Sequence, residues 1–78
     1  MSNELKRYYV RRMFYLMEHP MCEICGAPAI EIHHKRGRGK WLNVTETWMA
    51  VDRACHTMIH DNPKIARENG WLISKFAK

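Results

Sequence analysis

No apolar run in the chain approaches the ~20 residues that a membrane-spanning helix needs. The opening Met1-Ser2-Asn3-Glu4 is polar and acidic and has none of the apolar stretch of a secretory signal. Both absences lead us to expect a cytoplasmic protein with no membrane partner. Acid is scarce as well: 8 Asp and Glu stand against 13 Lys and Arg, for a net charge of +5. A basic surface draws phosphates from a distance, so the excess favours a polyanionic partner. The cysteine count is 3, an odd number that a disulfide framework would leave with one thiol over. Repeats, linkers and composition shifts are also missing, so the 78 residues read as one domain. Within it we expect an N-terminal helix over 1–19, a core over 20–61 and a C-terminal helix and tail over 62–78. A domain this small buries a modest core and often needs a staple, such as a metal or a partner.

The stretch Asn3 to Glu18 has helical periodicity: Leu5, Tyr9, Met13 and Leu16 recur at helix spacing, and Val10, Phe14 and Met17 widen the apolar stripe. Lys6, Arg7 and Arg11 fall mostly on the other side, as a solvated or phosphate-facing surface. His19-Pro20 ends the helix, because the residue before proline is pushed out of the α region. A turn closed by Gly26 follows. Ala29 to His33 alternates as a strand does, Lys35 to Lys40 reads as a cationic loop, and a second strand is expected over Thr47–Val51. Asp52 is placed to cap a short helix from Arg53 to Asp61. Asn62-Pro63 starts a last helix, and Gly70 stops it. The fold class expected is α+β.

Cys22 and Cys25 form a C-x-x-C pair, and Cys55 offers a third thiolate. Such a turn lets two thiolates face one tetrahedral ion, typically zinc. A thioredoxin-like role is disfavoured, because no βαβ context surrounds the pair. The position that would complete a second C-x-x-C holds Asp52. Its carboxylate either joins a Cys₃Asp site or only caps the helix, with the site lost or completed by water. His56 and His60, four apart on a helix, share a face and can chelate one ion. On a strand, His33 and His34 point to opposite faces, so one can join that ion while its neighbour stays free as a base. His19 stands apart and reads as a surface residue. Between the clusters, Lys35, Arg36, Arg38 and Lys40 flank glycines that permit close backbone approach, which suits phosphate oxygens.

The order CEIC, EIHHKRGRGK, TWMAVDRACHTMIH resembles the HNH nuclease family, and the small phage and prophage proteins of that family above all. The resemblance runs from Cys22 to His60 and continues into NPKIARENGWLI. It implies a ββα-metal finger, a β-hairpin crossed by a helix, with a zinc knuckle at Cys22, Cys25, Asp52 and Cys55. By the same resemblance, His34 matches the general base that activates water, and His33, His56 and His60 match the ligands of one catalytic ion. Mg²⁺ and Mn²⁺ are the usual metals in the family, whereas three imidazoles favour Ni²⁺ or Zn²⁺. The activity implied is phosphodiester hydrolysis of DNA, nicking or cutting, with 5′-phosphate and 3′-hydroxyl products. Implied partners are DNA and, as for phage proteins, packaging proteins or a second copy.

Two departures stand out. The family's middle Asn falls here at Thr47, and the nearest asparagine, Asn43, lies four positions early. Asp52 replaces a knuckle cysteine. Both motivate an alternative, a catalytically weakened zinc-knuckle protein that binds DNA as an accessory, for instance in phage packaging.

Overall fold

A computed structural model describes residues 2–73. Helix α1 spans Asn3–Glu18, as its periodicity predicts. The Ser2 side chain accepts the Leu5 N–H at 3.1 Å to cap its start, and His19 closes its end before Pro20. Strands β1 (Glu31–His34) and β2 (Trp48–Val51) form a two-stranded antiparallel hairpin. Its register pairs Glu31 with Val51, Ile32 with Ala50, His33 with Met49 and His34 with Trp48. Helix α2 (Arg53–Asp61) follows at once, then α3 (Pro63–Glu68), with Pro63 at its first turn and Gly70 at φ 76° beyond its end. No helix among the described residues is long and apolar enough to cross a membrane. The part of the expected tail beyond Ile73 lies outside the described residues.

The hairpin is the middle layer of three. Alternation along each strand sends one set of side chains to α1 and the other to α2 and α3. Tyr8, Ile32 and Trp48 make the core on the α1 side, with Leu5, Tyr15, Leu16 and Leu42 packed around them. Cys22, Met49, Val51, Ile59 and Ala66 make the core on the other, supported by Met58, Trp71 and Leu72.

Three expectations need correction. The strand pair begins later than read: Ala29 and Ile30 instead lead in, with N–H groups bonded to Pro20 O (2.8 Å) and Val51 O (3.1 Å). Thr47 is not in β2 but in a 3-10 turn, Thr45–Thr47. The third concerns α1. Its packed face carries Leu5, Tyr8, Tyr15 and Leu16, while Tyr9, Val10, Met13, Phe14 and Met17 are exposed. The helix is apolar on two sides, and periodicity alone favours neither. The side that packs is the one whose tyrosine hydroxyl finds a partner: Tyr15 donates to the Trp48 carbonyl at 3.2 Å.

Candidate functional site

Because the sheet has only two strands, β1 keeps an open edge, and a cavity of about 430 Å³ runs along it. Its walls are Tyr8 and Arg12 from α1, Glu31 to His34 from β1, Gly37 and Arg38 from the loop, and His56 and His60 from α2. His33 and His34 leave opposite faces of the strand, as alternation requires. His33 meets His56 and His60, with ring centroids 5.2 and 5.7 Å away. His34 turns to the α1 side, 5.3 Å from the Tyr8 ring and 5.7 Å from Trp48. The open edge lets both reach one cavity.

Ligand atoms of His33, His56 and His60 all lie within 4.8 Å of one another. Two nitrogens bound at 2.0–2.1 Å to one ion are at most ~4.2 Å apart, so the cluster is of the size that one ion needs. Hydrogen bonds fix which nitrogens are left free to ligate. His33 Nε2 bonds the Trp71 carbonyl, which can only accept, so the proton sits on Nε2 and Nδ1 keeps its lone pair. His56 Nδ1 donates to Glu31 Oε1 at 2.8 Å, leaving Nε2 for a ligand. Glu31 Oε2 is held in turn by Arg53 at 3.2 Å. A carboxylate behind a histidine ligand orients the ring and raises its basicity. Burial pushes the His33 pKa down to about 4, the bond to Trp71 offsets part of this, and the neighbouring imidazoles push it further down. The ring is therefore neutral and able to ligate near pH 7.

His34 Nε2 bonds the Leu42 carbonyl at 3.2 Å, which places its proton on Nε2 and its lone pair on Nδ1. The same carbonyl accepts Trp48 Nε1–H at 2.9 Å, so the indole fixes the imidazole's partner. Burial lowers the His34 pKa, and Arg38 adds to the effect. Arg38 lies 4.9 Å over the Tyr8 ring, within the cavity wall. Of the other basic loop residues, Arg36 and Lys40 stack on Trp41 at 5.0 and 5.1 Å. Lys35 is tied through its backbone, to Thr47 O and to the Ile73 N–H.

Thr47 does not line the cavity. Its hydroxyl donates to Val44 O at 2.7 Å, and its carbonyl accepts the Lys35 N–H at 2.9 Å, beside His34. It clips the ends of the long loop together. His19 is exposed and stacks on Tyr15.

The second cluster is Cys22, Cys25, Asp52 and Cys55, whose donor atoms also fall within 4.8 Å and are compatible with a bound metal such as zinc. The two roles weighed for Asp52 coexist. Oδ1 caps α2 by accepting the Cys55 N–H at 2.7 Å, and Oδ2 accepts the Cys25 thiol at 3.0 Å. That thiol bond holds the Asp52 pKa down and raises that of Cys25. Burial raises the Cys22 thiol, but backbone N–H groups of Cys25, Asp52 and Ile24 outweigh it and hold the pKa at about 7. Cys22 is thus partly thiolate at neutral pH, the form a soft metal takes. Burial and the bond to Asp52 raise Cys55.

Four contributors escaped the sequence reading: Glu31, Arg12 and the carbonyls of Leu42 and Trp71. Glu31 had a signal, since residues two apart on a strand share a face and Glu31 precedes His33 by two. The chain matches no family model, and no curated protein or solved structure is significantly similar to it.

Proposed function

We propose that the protein is a metal-dependent DNA endonuclease of the HNH type, its hairpin and α2 forming a ββα-metal finger. One observation carries the reading: a three-histidine ligand set and a separate, neutral His34 converge on a single cavity that also holds Arg38 and Arg12. Metal-assisted hydrolysis of a phosphodiester can use that division, with ligands holding the ion and a separate base activating the water.

His33 Nδ1 and His56 Nε2, with His60, would hold the divalent ion, and imidazole donors suit Ni²⁺ or Zn²⁺. Bound there, the metal supplies Lewis-acid stabilisation of charge on the phosphate and the leaving 3′ oxygen. His34 Nδ1 takes the proton of the attacking water, and the resulting imidazolium is steadied through Nε2–H by the Leu42 carbonyl. Arg38, steered by the Tyr8 ring, and Arg12 grip non-bridging oxygens as positioning contacts. Glu31 keeps the His56 ring turned to the ion. The cysteine cluster is the staple that holds the turn at Cys22 against the start of α2.

Nicking of supercoiled plasmid with Mg²⁺, Mn²⁺, Ni²⁺ or Zn²⁺, against EDTA and His34→Ala, tests the reading. Metal-dependent nicking lost in a folded His34→Ala is expected. No nicking by folded protein with any of the metals would overturn it. A specific feature favours a second reading, a DNA-binding accessory: the Thr47 hydroxyl is committed to Val44 and contributes nothing to the cavity. That reading predicts salt-sensitive DNA binding that persists in EDTA without strand scission.

A further inference from the structure

The exposed side of α1 is ordered at helical spacing. Val10, Met13, Phe14 and Met17 fall at i, i+3, i+4 and i+7 and are 54%, 64%, 61% and 73% exposed, with Tyr9 beside them at 46%. Residues at this spacing form a continuous seam. The seam lies roughly opposite the face of α1 that packs on the hairpin, and Tyr8 and Arg12, which line the cavity, belong to the packed side.

We propose that this seam is a homodimer interface, in which α1 pairs antiparallel with α1 of a second copy across a two-fold axis between Met13 and Phe14. Charge selects both the occupant and its direction. At 100° per residue, Arg7, Arg11 and Glu18 all lie on one flank of the seam. Antiparallel pairing brings like flanks together. The axis sets residue 18 of one copy level with residue 9 of the other, so Glu18 falls between Arg7 and Arg11 of the second copy, twice over by symmetry. Parallel pairing would set unlike flanks together, and Glu18 would gain no arginine. The area is also of the right order. Complete burial of the exposed parts of the five side chains would remove roughly 550 Å² per copy, about 1,100 Å² for the pair, the scale of the ~1,000 Å² expected of a specific interface. Isologous pairing of this kind leaves both cavities open and does not depend on the nuclease reading.

Sedimentation equilibrium of the full chain, zinc-loaded and over a micromolar concentration series, tests the proposal. Wild type is expected to dimerise reversibly. Phe14→Glu should weaken association by at least about 30-fold, as loss of a central apolar anchor does. Glu18→Arg should weaken it too, and Arg7→Glu with Arg11→Glu added to Glu18→Arg should restore it. Ile65→Lys, which alters an exposed apolar residue on α3, should leave it unchanged. Circular dichroism and melting confirm that each variant is folded, and Met13→Lys substitutes should Phe14→Glu fail. A wild-type monomer throughout, or a dimer indifferent to Phe14→Glu and Met13→Lys, overturns the interface. Failure of the charge swap to restore pairing overturns the antiparallel arrangement.

Discussion

Glu31 holds two partners of different kinds, the His56 Nδ1–H and the Arg53 guanidinium. Because it fixes the tautomer of a ligand, its removal should be felt at the metal. We expect Glu31→Ala to cost about 10- to 100-fold in affinity for the histidine site, by calorimetric titration of protein whose cysteine cluster is already filled with zinc. Unchanged affinity would reduce Glu31 to a surface ion-pair partner. Thr47 gives the opposite pattern. Thr47→Val removes the hydroxyl bonded to Val44 O and should cost about 1 kcal/mol of stability, with metal affinity retained. Urea unfolding beside the same titration separates the two. At this scale much of the site was readable. Strand alternation alone sent His33 and His34 to opposite faces, and helix spacing joined His56 to His60. What stayed hidden were acceptors without a side chain, the carbonyls of Leu42 and Trp71. Every residue has a carbonyl, so no sequence pattern marks the one that orients a histidine.

At the scale of elements, α2 was legible to its ends, because its start and stop are chemical: Asp52 caps it, and Asn62-Pro63 begins the next helix. The capping carboxylate doubles as a candidate ligand, and two substitutions divide those roles. In metal-free protein, Asp52→Asn should be nearly neutral, since the amide oxygen still caps, whereas Asp52→Ala should cost about 1 kcal/mol. With zinc, both should lose affinity, since neither keeps the Oδ2 carboxylate. Equal zinc affinity of Asp52→Asn and wild type would leave Asp52 as a cap alone. Cys25→Ser should likewise lower the melting temperature in zinc but little in EDTA. The facing of α1 was not legible, because apolar side chains surround much of that helix. Only the hairpin below it, with Trp48 offering both a ring and a carbonyl, chooses a side.

For the whole molecule, burying two histidines in a small domain links stability to pH. The folded pKa of His33 is about 4, below the 6.5 of an exposed ring, and that of His34 is lowered as well. Below pH 6.5 the unfolded chain therefore takes up protons that the folded chain refuses. Stability from this source is complete above about pH 6.5 and falls progressively towards about pH 4. The urea midpoint of metal-free protein should drop between about pH 7 and pH 5, above the range where most carboxylates titrate. A midpoint flat across that interval would mean that His33 is protonated in the folded state. The bond from His33 to Trp71 also has a bearing on biosynthesis. The hairpin and α2 are synthesised before Trp71, so the imidazole set is complete in sequence while one ring still lacks its proton acceptor. The cysteine cluster, with all four donors between Cys22 and Cys55, has no such dependence and can load first. We expect a metal at the cysteine cluster to load before one at the histidine cluster, which waits on the segment after α3 to fix the His33 tautomer.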